Sequence, residues 1–153
     1  VISGLVVAVC LGSCTNGSLP QSVQELEGRR EEAVITTVVM GLIDRHGGNR
    51  VPCMGNLDYD PPTEKLLRYV RERVPTVRPA ADCTRRSAGA VVTSTGDPAI
   101  VIGVGHVVWR DQRRADVEAT YFVGGKAAGR LTAHLTFAFG RWGIDGETPL
   151  ARS

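Results

Sequence analysis

Aromatic residues are scarce in this chain, 5% of 153 residues, which leaves too few ring faces for a base-stacking platform. Excess charge of one sign is also missing: 18 Lys and Arg stand against 16 Asp and Glu, a net charge of +2. The basic residues lie among acids, as in Glu27-Gly28-Arg29-Arg30-Glu31-Glu32 and Arg110-Asp111-Gln112-Arg113-Arg114. Such mixed runs mark solvated surface, and the single basic face that would hold nucleic acid is not indicated. No run reaches the ~20 apolar residues that a membrane-spanning helix needs. No CxxC pair and no Cys/His ligand spacing occur, so no metal site is expected. Gly124-Gly125-Lys126-Ala127-Ala128-Gly129 has the look of a phosphate loop, but no Ser or Thr follows Lys126 and a strand follows instead of a helix. It reads as a hairpin connection. Ser87, Ser94 and Thr95 sit in turns without a nucleophile-elbow sequence. No catalytic residue and no cofactor is assigned.

What is present begins at the N-terminus. Val1 to Leu11 is free of charge and reads VISGLVVAVCL. Too short to span a bilayer, it has the length and character of the apolar centre of a signal peptide. Leu11-Gly12-Ser13-Cys14 follows and resembles the lipobox of bacterial lipoproteins, in which small residues let an extended backbone enter the peptidase groove. The resemblance implies that Cys14 carries the lipid and becomes the new N-terminus. Thr15 to Gln21, TNGSLPQ, is small, polar and Pro-containing, as a tether would be. Of the four cysteines, Cys10 would leave with the leader, which leaves Cys53 and Cys83 in the mature domain. In an oxidising compartment an even pair reads as a disulfide, against the alternative of two separate buried thiols. A bridge closing this ~30-residue loop would stabilise the fold by roughly 3 kcal/mol.

Hydrophobic periodicity organises the rest. Ser22-Val23-Gln24-Glu25 has capping-box spacing, so a helix can start there. Val34, Ile35, Val38, Val39, Leu42 and Ile43 form one helical face, predicting a main helix over Glu31 to Arg45. It has an acidic start, a Gly47-Gly48 stop, and His46 as a closing cation. A short strand is expected within Asn49 to Met54. Asp60-Pro61-Pro62-Thr63 predicts a second helix capped by Asp60 and running to about Val74, with Leu66, Leu67 and Val70 inward. From Ala88 the period changes to two. Strands are expected over Ala88–Ser94, Ile100–Trp109, Val117–Val123, Leu131–Phe139 and Arg141–Asp145, joined by short turns as an antiparallel meander.

Two further resemblances concern the whole domain. The order helix, helix, meander is similar to the NTF2-like (cystatin-like) superfamily. Leu66-Leu67, Val77-Arg78-Pro79 with Cys83, Tyr121-Phe122-Val123-Gly124-Gly125, Ala127-Ala128-Gly129 and Gly140-Arg141-Trp142 look like a group of bacterial exported, lipoprotein-like proteins. That group implies location and fold, and no activity. The expected fold is therefore α+β: two N-terminal helices packed on a curved antiparallel sheet of four to five strands. The expected organisation is a signal peptide over 1–13, a lipidated Cys and tether over 14–30, a single domain over 31–147 and a tail over 148–153. If the sheet curves into a cone, His106, Tyr121 and His134, with Asp116 or Glu118, can approach a common cavity for acid–base work, although alternation puts Tyr121 on the other face from Asp116 and Glu118; the alternative is a solvated sheet face. The leading expectation is a non-enzymatic binding or accessory domain, lipid-anchored outside a bacterial membrane, whose partner is an envelope protein or a small ligand. The alternative is an NTF2-like small-molecule binder or enzyme using the cavity.

Overall fold

The computed structural model describes the backbone of residues 21–151 and the side chains of residues 29–151. The first helix, α1 (Gln21–Leu42), continues into a π-helical turn over Ile43–Gly47. Helix formation here goes against propensity, because Val34, Ile35, Thr36, Thr37, Val38 and Val39 are all β-branched. Two features offset that. The Thr36 and Thr37 hydroxyls donate back to the Glu32 and Ala33 carbonyls at 2.7 and 2.9 Å, so neither is left unsatisfied against the core. Val34, Ile35, Val38, Val39 and Leu42 are buried in the main core, and such packing supplies most of a helix's stability in a folded protein.

The strands are β1 (Val51–Gly55), β2 (Arg78–Pro79), β3 (Cys83–Arg86), β4 (Gly89–Val92), β5 (Pro98–Trp109), β6 (Arg114–Gly124), β7 (Ala127–Ala138) and β8 (Arg141–Pro149). The second helix, α2 (Glu64–Arg71), lies between β1 and β2. The strand order is β2-β1-β5-β6-β7-β8, and β4 pairs with both β3 and β5. From β5 to β8 the sheet is an antiparallel meander, but β1 runs parallel to β5 and to β2. On one face, α1 covers Ile100, Ile102, Val104, Ala115, Val117, Ala119, Leu131, Ala133 and Leu135. On the other, a smaller cluster of Cys53, Ala80, Ala90, Val92, Ala99 and Val101 lies near the β3–β4 hairpin. Cys53 and Cys83 are joined in a disulfide that ties β1 to β3. Beyond that cluster this face is polar.

This architecture corrects the expected fold class. The sheet is mixed and has eight strands, where a purely antiparallel sheet of four to five strands was expected. The extra strands come from Arg78 to Arg86, a stretch where the sequence pattern predicts no strand. Arg78-Pro79 pairs beside Cys53-Met54, and Cys83–Arg86 forms a hairpin with Gly89–Val92. Each is too short to show a period, so only pairing identifies it. β8 also extends past Asp145 to Pro149 because its register with β7 continues to Leu131. At the second helix, Thr63 rather than Asp60 is the cap, its Oγ1 accepting from the Leu66 N–H at 3.2 Å. Asp60 instead closes the loop before it. No helix among the described residues is long and apolar enough to cross a membrane.

Candidate functional site

A cleft of about 680 Å³ opens where β1 ends beside the longer β5, within the range of roughly 300–1,000 Å³ for ligand sites. Its apolar lining includes Ile35 from α1, Met54 from β1, Leu66 from α2 and Val104 from β5. Its polar lining is Glu31, Glu32, Asn56, Asp58, Thr63, Lys65 and His106. Glu32 is buried, and its carboxylate is met by the Lys65 ammonium at 3.0 Å, a pairing that burial of a charge requires. Glu31 and Asp58 are exposed, so acids outnumber cations at the rim.

The loop from Asn56 to Thr63 forms one wall and is built by its own polar groups. The Asn56 Oδ1 accepts from the Asp58 and Asp60 N–H groups at 2.9 and 3.0 Å, and its Nδ2 donates to the Asp60 carboxylate at 3.2 Å. The backbone closes on itself through Asn56 N–H to Asp60 O at 3.0 Å. Tyr59 takes a φ of 65° to complete the turn. Gly55 is required at its base: a Cβ there would lie 2.5 Å from the Asp60 carbonyl oxygen. Leu57 rests against β5, where a Cβ on Gly105 would meet it at 3.0 Å.

The floor carries the most telling feature. β1 pairs with β5 only from Ala99 to Gly103. From Val104 to Trp109 that edge of β5 has no strand partner among the described residues, although the other edge is paired to β6. A register shift between Val104 and Val107 leaves Gly105 and His106 as a bulge at the cleft, a common way of re-aiming a strand beside a site. His106 is exposed there.

The three residues expected to share a cone interior do not meet. Tyr121 is on the α1 side, where its ring stacks on His46 with centroids 3.9 Å apart and planes 9° from parallel. His134 is on the opposite face. There its Nδ1 bonds the Asp116 carboxylate at 2.9 Å and its Nε2 the Thr148 hydroxyl at 2.8 Å. Arg110 Nε donates to the other Asp116 oxygen at 2.6 Å. Partial burial pushes the Asp116 carboxyl up, but the bonds from His134 and Arg110 outweigh it and hold the group below the usual carboxylate range. A hydroxyl, an imidazole and a carboxylate in line invite comparison with a hydrolytic triad. Here they join β6, β7 and β8 and do not line the cleft. With Glu118–Arg130 and Thr136–Asp145 they form cross-strand polar pairs on one sheet face.

Cys14 lies outside the described residues. The cleft residues Glu31, Glu32, Asn56, Asp58 and Lys65 were not singled out from sequence. The available signal was the turn-rich run Asn56-Leu57-Asp58-Tyr59-Asp60-Pro61-Pro62 after a short strand, the kind of loop that carries function. Among the described residues no three of His, Cys, Asp and Glu converge to hold a metal ion. No protein-family model, curated protein or solved structure matches this chain.

Proposed function

We propose that this protein is a non-enzymatic binding domain of the bacterial envelope, lipid-tethered outside the membrane, that captures an extended polypeptide segment in the cleft beside β5. One observation carries the binding reading: β5 has an edge without a strand partner among the described residues, and its first part, Val104 to His106, lines an acidic cleft of apolar floor. Bare edges invite aggregation and are normally blunted or covered. A strand edge flanked by side-chain pockets is a standard means of capturing an extended chain. Backbone bonds to β5 supply affinity, Ile35, Met54, Leu66 and Val104 receive an aliphatic side chain, and Glu31 and Asp58 favour Lys or Arg beside it. The lipobox at Cys14 supports the tether, and the Cys53–Cys83 disulfide supports an oxidising compartment.

Two measurements test the two parts. Intact mass of the chain produced in a bacterial host, with and without reduction and alkylation, reads the tether. A lipid increment on a chain starting at Cys14 is expected; an unprocessed chain with four free thiols refutes export. An array of immobilised peptides of varied charge reads the cleft. Labelled protein should select peptides combining aliphatic and basic residues, and Glu31→Lys with Asp58→Lys should weaken capture on the order of tenfold. Selection that ignores peptide charge, or survives the double variant, overturns the peptide reading and returns the cleft to a small ligand.

A further inference from the structure

The β5–β6 and β7–β8 turns project side by side from one end of the sheet, and their composition differs from the rest of the surface. Phe139 is fully exposed at the β7–β8 turn, and Val108 and Trp109 are exposed at the end of β5. Phe139 has φ 53° and Gly140 φ 76°. A two-residue turn with both φ positive normally takes Asn-Gly; here a bulky ring occupies the strained first position and points into solvent. Behind it, Trp142 packs against Trp109 and Phe137 with centroids 5.6 and 5.4 Å apart. The guanidinium of Arg30 lies 4.2 Å from the Trp109 ring centroid. In this end Arg30, Arg110, Arg113, Arg114 and Arg141 stand against Asp111 in the turn and Asp116 and Asp145 on the adjoining strands. Arg114 is paired with Asp111 and Arg110 with Asp116, and Arg30 bonds the Asp111 and Gln112 carbonyls, which leaves Arg113 and Arg141 without a carboxylate partner among the described residues.

The course of α1 links this end to the tether. Arg30 touches the tip, donating to the Asp111 carbonyl at 3.3 Å, while Arg45 pairs with Glu147 near the far end of β8. α1 therefore enters the fold at the tip, with its stretch from Gln21 to Arg30 at that end. Cys14 is seven residues before the start of α1; those seven can span at most about 25 Å, and the helical stretch from Gln21 to Arg30 adds about 14 Å.

We propose that this aromatic, arginine-rich tip docks on the surface of an anionic phospholipid bilayer. Phe139 enters the acyl boundary, Trp109 and Trp142 sit at headgroup level, and Arg113 and Arg141 engage the phosphates. Aromatic rings with a polar edge prefer that interface, and arginine can bury its stem while its head stays at the phosphates. Docking here would hold the β5 cleft in a defined orientation to the membrane. The inference shares the membrane location of the proposed function but does not depend on a lipid at Cys14.

The chain's only two tryptophans are both in the tip, so intrinsic fluorescence reads it selectively. The full chain carrying Cys14→Ser, which cannot take a lipid, is mixed with phosphatidylglycerol–phosphatidylethanolamine vesicles bearing brominated acyl chains, or with phosphatidylcholine vesicles. Expected are a blue shift and bromine quenching with the anionic vesicles only, both reduced by high salt. Arg113→Ala and Arg141→Ala should each lower partitioning roughly fivefold, and Phe139→Ser should remove most of the quenching. Lys126→Ala, at the opposite end of the sheet, should change nothing. Unmoved emission with anionic vesicles overturns the proposal and leaves the tip to a protein partner. Tip variants that bind like the parent overturn it too, because binding would then come from another part of the chain. Absence of the Cys14 lipid in the mass experiment would leave this result standing.

Discussion

Replacing Cys53 and Cys83 together by alanine removes the covalent link between β1 and β3. The two residues are 30 apart in sequence. In the chain-entropy relation a loop of that size reduces the unfolded chain's entropy by about 12 cal/mol/K, or between about 3 and 4 kcal/mol at 25 °C. Cys53 is fully buried in the smaller cluster, so losing its sulfur adds a packing cost of under about 1 kcal/mol. For a domain of this size the sum lowers Tm by roughly 10–15 °C. The assay is urea unfolding of parent and double variant, each with and without dithiothreitol. The parent should lose between about 3 and 4 kcal/mol on reduction and show a larger m value, because its unfolded state expands. The double variant should not respond to reductant. A parent that loses less than about 1 kcal/mol on reduction would refute the stapling argument and leave the smaller cluster and its strand pairing to hold β1 and β3 together.

Two further outcomes follow from packing and titration. Burial, with Arg45 nearby, pushes the His46 imidazole below its ordinary value. The unfolded chain then binds more protons, so stability should fall as pH drops below about 6.5. His46→Gln should remove that slope, whereas the loss from carboxylates such as Asp116 begins only below about pH 4 and should remain; an unchanged slope near pH 6 in urea melts would exclude His46 as its source. Gly55→Ala forces the Asn56–Asp60 loop to shift and should cost about 1–3 kcal/mol while weakening peptide capture. Gly143→Ala, where an added Cβ meets nothing within 4 Å, should stay within about 0.5 kcal/mol; equal effects at the two positions would refute the close-approach argument.

Much of the secondary structure was legible because it is local and periodic. The apolar stripe Val34 to Leu42 marked α1 despite its β-branched content, and the period of two from Ala88 onward marked β7. The parallel partnership of β1 with β5 was not legible, since its pairs, such as Val51 with Ala99, lie far apart in sequence and no local pattern names a partner. β2 and β3 were hidden for the same reason. His46 read as a cation closing a helix, but the π-helical turn swings it onto Tyr121, a contact set by packing across the core.

The amino-acid sequence by itself determined which faces are apolar and where the chain turns. These depend on neighbours a few residues apart. Tertiary structure decided that β5 outruns β1, leaving a bare edge over an acidic cleft, and that two distant turns bring their rings and arginines to the end where α1 enters. Both outcomes depend on strand register and on the direction of a helix across a sheet. Those are set when surfaces far apart in the chain bury each other, and no short stretch of sequence encodes them.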